Sequence, residues 1–205
     1  VVWVVLLTTL VVGVGLIVAV LVDRVRYESV VKSIVFLPMA ISFVAAGVIW
    51  RLMYEFNPNI GTLNAVVTST GAAPYPFLSS APLNNFFLIL VGVWMLTGFA
   101  MVILSAGLKG ISTELLEASR VDGANEWQVF RKIILPLSPP ILIVTVIWQF
   151  TGIWNEYLFG VVFTSGQEQP ITAPLVALTP SGTTARSYDV MSAAVLIGAL
   201  PPLLI

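Results

Sequence analysis

Five apolar runs dominate the chain, at residues 1–22, 34–54, 86–108, 141–163 and 190–205. A helix needs about 20 apolar residues to cross the hydrocarbon core of a bilayer, and in lipid a helix satisfies its own backbone hydrogen bonds. Charged residues make up 9% of the chain, where an average soluble domain carries about 25%, so most of the sequence has no water to face. The pattern predicts an all-α membrane protein with five spans. The first run lacks the basic leader and small-residue cleavage site of a signal peptide and is long enough to span. Because residue 1 lies inside one apolar run and residue 205 inside another, the sequence reads as a truncated piece of a longer protein.

The linkers set the direction of threading. Arg24, Arg26, Lys32, Lys109, Arg120, Arg131 and Lys132 fall at 23–32 and 109–140, leaving only Arg51 and Arg186 of the nine basic residues elsewhere. Cytoplasmic loops hold the basic excess. The first helix therefore runs from outside to inside, the nearly uncharged 55–85 linker is external, and the segment around Glu117 is cytoplasmic. Trp3, Trp50, Tyr54, Phe86, Trp154 and Tyr157 lie near segment ends, where amphipathic rings favour the headgroup zone. Pro38 and Pro136 fall near expected helix starts, where a missing N–H costs little. Pro201 and Pro202 sit inside the last run and predict a kink or interruption unless other groups satisfy the carbonyls they free.

The sequence has no Cys and no His, which excludes Cys/His metal sites, disulfides, and nucleophilic dyads built on either residue. A site made of carboxylates alone stays open. Net charge is −1 with no basic block, so nucleic acid is not a partner. No G-x-x-x-x-G-K-[ST] loop is present to cradle a nucleotide. The chain is expected to catalyse nothing by itself and to hold no cofactor.

Residues 111–136 form the most informative stretch. Ser112 can cap a helix starting at Thr113, with Glu114 and Glu117 favoured near its positive end. Leu115, Leu116, Ser119 and Gly123 recur at intervals of three to four, so one face is small and apolar. Gly123 frees the backbone for a positive φ that stops this helix, and Trp127, Phe130 and Ile134 begin a second one. A helix, a turn and a helix this charged cannot span. It needs a protein partner or the chain's own helices to cover its apolar face.

Glu117-Ala118-Ser119, three residues, Gly123, nine residues, Ile133, then Leu135-Pro136 resembles the EAA loop of binding-protein-dependent ABC importer permeases, with Ser119 in place of the second alanine. Leu37-Pro38, Gly61 to Asn64, Val93-Trp94 and Asp122-Gly123-Ala124 look like the carbohydrate-uptake branch, including the maltose-transporter membrane subunits. The resemblance covers nearly the whole chain and implies the type I ABC importer (MetI-like) transmembrane domain over residues 1–205, with a cytoplasmic coupling loop at 109–136. Family members usually have one more helix upstream, which fits the truncated start.

What the resemblance implies is a coupling helix, roughly 113–125, seated in a cleft of an ATPase subunit. Glu117 would meet a polar or basic edge of that cleft, Ala118 and Ser119 would permit close approach, and Gly123 would turn the chain back toward the membrane. Glu114, Asp122 and Ala124 belong to the same contact. The implied partners are a second related permease in a heterodimer, two ATPase subunits carrying ATP and Mg, an external sugar-binding protein, a carbohydrate and the lipid membrane. The implied location is the bacterial or archaeal plasma membrane, crossed several times.

Trp154, Asn155 and Glu156, toward the outer end of the fourth run, carry two readings. As a substrate path, the aromatic face would meet a sugar ring and the polar groups its hydroxyls; as an anchor, Glu156 would snorkel to water. Arg51 and Glu55, four apart, read as a surface ion pair. Gly13, Gly15, Gly92, Gly98 and Gly198 read as close-packing positions. Residues 164–170 look like the outer loop of the sugar permeases. Two other functional classes fit the composition: a gradient-driven secondary transporter, for which only Glu156 is a candidate charge, and a membrane-embedded hydrolase, which the absence of histidine opposes.

Overall fold

A computed structural model of the chain describes residues 2–23, 25–163, 175 and 188–203. Arg24, the 164–170 loop, Pro174, Pro180, Gly182 and Arg186 lie outside the described residues. The helices in order are α1 (Val2–Val22), α2 (Glu28–Phe36), α3 (Phe43–Met53), α4 (Thr62–Ser69), α5 (Leu83–Leu108), α6 (Thr113–Val121), α7 (Glu126–Val129), α8 (Leu135–Leu137), α9 (Pro139–Trp154), α10 (Leu158–Phe163) and α11 (Tyr188–Leu203). No strand occurs among the described residues. The chain divides into two compact units, Val1–Ala40 with Gly92–Phe150, and Ile41–Val91 with Thr151–Ile205.

By length and composition α1 and α5 are continuous spans. The runs at 34–54 and 141–163 are not single helices. The run predicted at 34–54 is broken: α2 ends in a 3-10 turn at Leu37–Ala40, and α3 begins after Ser42. Pro38 therefore sits at the end of a helix rather than near a start, because it has no N–H to continue the ladder. The run predicted at 141–163 ends as a helix at Trp154 and resumes at Leu158. Pro136 likewise lies at the end of the preceding helical stretch, which meets α9 at a 69° bend, with Pro139 and Pro140 as the first residues of α9.

In the first unit α1, α2 and α5 pack closely at glycines. A Cβ on Gly15 would lie 2.9 Å from Ala100 Cβ, and one on Gly98 would lie 2.6 Å from the Val35 carbonyl oxygen and 2.7 Å from Phe36 Cα. Gly92 admits the Leu7 side chain in the same way. Lipid tails are as apolar as leucine, so close packing of this kind replaces the hydrophobic drive. Gly13 departs from the expectation, since nothing lies within 4 Å of its Cβ position. Val12, Leu16 and Ala19 of α1 join Met101, Leu104 and Leu108 of α5 in a buried cluster that also takes in Val129 and Ile134.

The second unit is held by α3 on α10, where a Cβ on Gly47 would meet Val162 Cγ1 at 2.7 Å, and by an aromatic cluster. Tyr54, Phe77 and Phe87 have ring centroids 4.8 to 5.9 Å apart. The 55–85 linker, with little hydrophobic periodicity, is ordered by one side chain. Asn64 is fully buried, donates to the carbonyls of Glu55 and Tyr75 at 2.9 and 3.0 Å, and accepts from the Tyr75 amide at 2.7 Å. Gly61 is required beside it, since a Cβ there would stand 1.9 Å from the Glu55 carbonyl oxygen. The expected Arg51–Glu55 pair is not formed among the described residues; Glu55 Oε1 accepts from the amide of Phe56 at 3.1 Å. Nor do Pro201 and Pro202 interrupt α11, which runs through both to Leu203.

Candidate functional site

The 109–136 segment is built as expected, with two local differences. Ser112 holds the N-cap position of α6 (φ −55°, ψ 126°), yet its hydroxyl makes no capping hydrogen bond. Gly123 has φ +82°. The amide of Gly123 donates to the Arg120 carbonyl and that of Ala124 to the Ser119 carbonyl, both at 3.0 Å. These are the two bonds of a Schellman stop, which needs the left-handed residue that glycine supplies without a Cβ penalty. Arg120 Nε also stands 3.6 Å from Glu126 Oε1 across the turn, an exposed pair of little energetic weight.

The second difference is a cap that hydrophobic pattern alone does not reveal. Asn125 Oδ1 accepts from the Gln128 amide at 2.9 Å while Gln128 Oε1 accepts from the Asn125 amide at 2.8 Å. This reciprocal capping box launches α7, and the Asn-x-x-Gln spacing was available in the sequence. A π turn at Phe130–Ile134 follows, in which the Leu135 amide reaches back to the Phe130 carbonyl. The extra residue re-aims the helix just ahead of Pro136. Ser138 Oγ then donates to the Ile134 carbonyl at 2.5 Å.

The two halves of the loop have opposite fates. Val129 and Ile134 are buried, with Phe130 and Ala124 packed at the edge of the same cluster. Helix α6 buries no residue completely; Leu116 reaches the cluster, and Ser119 Oγ bonds the Leu116 carbonyl at 2.8 Å. Glu114, Glu117, Ala118, Asp122 and Gly123 are exposed, and Ala124 is half-buried. Leu115, Val121 and Trp127 are exposed as well, Val121 to 88%. Trp127 stacks on Phe130 at 5.7 Å. The result is a helix fastened by its trailing half, offering acids, small residues and apolar side chains to solvent.

Trp154, Asn155 and Glu156 fall where α9 stops. The Asn155 amide and its Nδ2 both donate to the Thr151 carbonyl, at 3.1 and 2.9 Å, and the Glu156 amide donates to Ile153 at 3.3 Å. Asn155 thus turns its side chain back onto its own helix and closes it. The Trp154 indole N–H is committed to the Gly198 carbonyl at 2.8 Å, a structural bond absent from either reading of the sequence. No cluster of acidic residues able to hold a metal occurs among the described residues.

The chain is similar to known transport permeases. The permease protein GgtC for osmoprotective compounds uptake, from Synechocystis sp., is 54% identical over 69% of this chain and 52% of its own length. The alpha-glucoside transport system permease protein AglF of Rhizobium meliloti is 44% identical over 76% of this chain and 47% of its own. The chain therefore spans about half the length of these curated relatives. A solved bacterial ABC transporter for import of the acidic polysaccharide alginate superposes with a TM-score of 0.82 at 23% identity, covering 99% of this chain and 73% of that one. The fold is that of ABC importer membrane components. Residues 11–205 match the family described as binding-protein-dependent transport system inner membrane component, and the chain belongs to that family.

Proposed function

We propose that the chain is the transmembrane permease subunit of an ATP-driven carbohydrate importer, acting as a single permease domain over residues 1–205 with its coupling loop at 109–136. The observation that carries this reading is the half-anchored loop: α6 exposed, its trailing half buried in the chain's own helices. An exposed apolar and acidic helix that the chain itself leaves uncovered marks a protein contact. In this reading α6 enters a cleft of an ATPase subunit. Glu114, Glu117 and Asp122 face its polar edge, Ala118 and Ser119 allow close approach, and Gly123 with Ala124 forms the turn.

Two ATPase subunits bind ATP and Mg, close on each other, and draw the coupling helices together. The permease and a related partner permease then rock as rigid bodies between outward and inward access. This chain performs no catalysis and holds no cofactor. It crosses the plasma membrane of a bacterium or archaeon several times, and an external binding protein delivers the solute. The named relatives handle osmoprotective compounds and alpha-glucosides, which supports a polyhydroxylated substrate. The helix break at Asn155 and Glu156 supports a place on the substrate path, because non-helical backbone at membrane depth is tolerated where it is buried in protein or lines an aqueous cavity. Trp154 flanks that break.

Co-purification of the full-length protein from its native membrane, with and without Glu117→Lys, tests the reading. Recovery of an ATPase with the unmodified protein and its loss in the variant supports it. Absence of any ATPase from both samples overturns it in favour of gradient-driven transport.

A further inference from the structure

Lys32 stands at the junction of three helices in the first unit. Its ammonium donates to Asp23 Oδ1 at 2.7 Å, to Glu28 Oε1 at 2.6 Å and to Ser105 Oγ, so all three of its N–H donors are used. Ser105 donates to the same Asp23 oxygen at 2.7 Å, and Lys109 reaches the same Glu28 oxygen at 2.6 Å. Asp23 directly follows α1, Glu28 and Lys32 lie on α2, and Ser105 is in the last turn of α5. Two cations balance two anions. The Lys32 and Asp23 side chains are 19% and 22% exposed, so solvent screens them less than an open surface pair.

The place of this network matters more than its strength. Leu104 and Leu108, flanking Ser105, pack in the cluster that receives Val129 and Ile134 of the loop. The end of α5 therefore carries the loop through one set of side chains and the network through another. Farther along, α5 meets α1 at Gly15, against the Ala100 Cβ and the Met101 amide, and the end of α2 at Gly98, against backbone. Helices in contact that close cannot slide past one another without clashes.

We propose that Lys32 is a positioning residue for energy coupling. It staples the ends of α1, α2 and α5 into one block that stays closed throughout the transport cycle, so a pull on the loop moves three helices together instead of bending α5 alone. Lys32 acts through Ser105 and the end of α5. The inference rests on the permease reading above.

The test uses the assembled transporter in vesicles, scoring ATP hydrolysed per solute imported. Lys32→Met keeps the apolar stem and removes the donors; it is expected to leave the ATPase bound while raising that ratio severalfold, with Lys32→Arg milder. Residues 1–205 contain no cysteine, so in a transporter whose other cysteines are replaced by serine Asp23→Cys with Ser105→Cys supplies one reactive pair and a second variant independent of Lys32. Without a bridge this pair is expected to uncouple, and a short bifunctional thiol reagent is expected to restore coupling, a rescue that a purely folding role would not show. Normal coupling without the bridge, or loss of coupling on bridging, overturns the staple. If the unmodified protein captures no ATPase, the permease reading falls and the staple with it; ATPase capture with unchanged coupling in the variants rejects the staple alone.

Discussion

The indole N–H of Trp154 donates at 2.8 Å to the carbonyl of Gly198, the acceptor whose intrahelical partner would be the missing N–H of Pro202, four residues on. One side chain therefore satisfies the carbonyl that Pro202 frees, in a helix that runs through Pro201 and Pro202 without a break. Trp154→Phe should lower stability by about 1 kcal/mol, within the range measured for hydrogen bonds between membrane helices. In a Pro202→Ala background the backbone supplies its own donor, so the same substitution should cost clearly less. Thermal unfolding of the four proteins in detergent, read as a double-mutant cycle, checks this; equal losses in both backgrounds would contradict it.

Gly123 is constrained by backbone and not by space. Its φ is +82° and nothing lies within 4 Å of its Cβ position. Substitutions should rank by tolerance of the left-handed region, with Asn mildest, Ala intermediate and Val worst, the last two costing about 1 to 2 kcal/mol. Circular dichroism of the folded spans should not distinguish the variants, whereas ATPase capture should fall in that order. A ranking by side-chain volume, with Ala milder than Asn, would reject the backbone account.

How much of this could be read in the sequence depends on whether the signal was local. The Gly123 stop, the exposed acids of α6 and the α1 and α5 spans follow from spacing and composition, and the structure places them as read. The breaks after Pro38 and Trp154 were hidden because apolar runs on either side of a break look like one run to a hydropathy window. The order in the 55–85 linker was hidden for a different reason. It depends on Asn64 meeting Glu55 and Tyr75, nine and eleven residues away, and no periodicity encodes such contacts. Pro202 was seen as a problem, but its solution at Trp154 lies 48 positions back in the chain.

Trp127 is 64% exposed and braced by Phe130. Tryptophans are enriched among the anchors of protein contacts, where truncation costs about 2 kcal/mol or more. Trp127→Ala should weaken ATPase binding by about 30-fold and change the unfolding midpoint little. Val129→Ala, at a fully buried neighbour, should do the reverse, lowering the midpoint through a cavity. Binding titrations beside thermal scans separate the two; equal binding losses would argue against Trp127 as an anchor.

Glycines that look alike in sequence should differ sharply in tolerance. Gly98→Ala drives a methyl against the backbone of Val35 and Phe36, which cannot yield as a side-chain tip can, so a loss of about 1 to 3 kcal/mol is expected. Gly13→Ala fills open space in α1 and should be neutral or slightly stabilising. Matching midpoints for the two variants would mean that the α5 contact with α2 is looser than it stands here.

Glu28 offers a pH test of the network. Hydrogen bonds from Lys109 and then Lys32 hold its carboxyl down from 4.5 to about 2. A depressed carboxyl contributes stability that is fully present above the unfolded-state value and is lost as pH falls toward the folded one. The difference in unfolding midpoint between the unmodified protein and Glu28→Gln should therefore be constant from pH 8 to about 5. It should shrink between pH 4.5 and 2. The Lys109 contribution is the more exposed of the two, with that side chain 57% open to solvent, so high salt should reduce the difference without abolishing it. A midpoint difference that already changes between pH 8 and 6 would mean that Glu28 is not held by these lysines in solution.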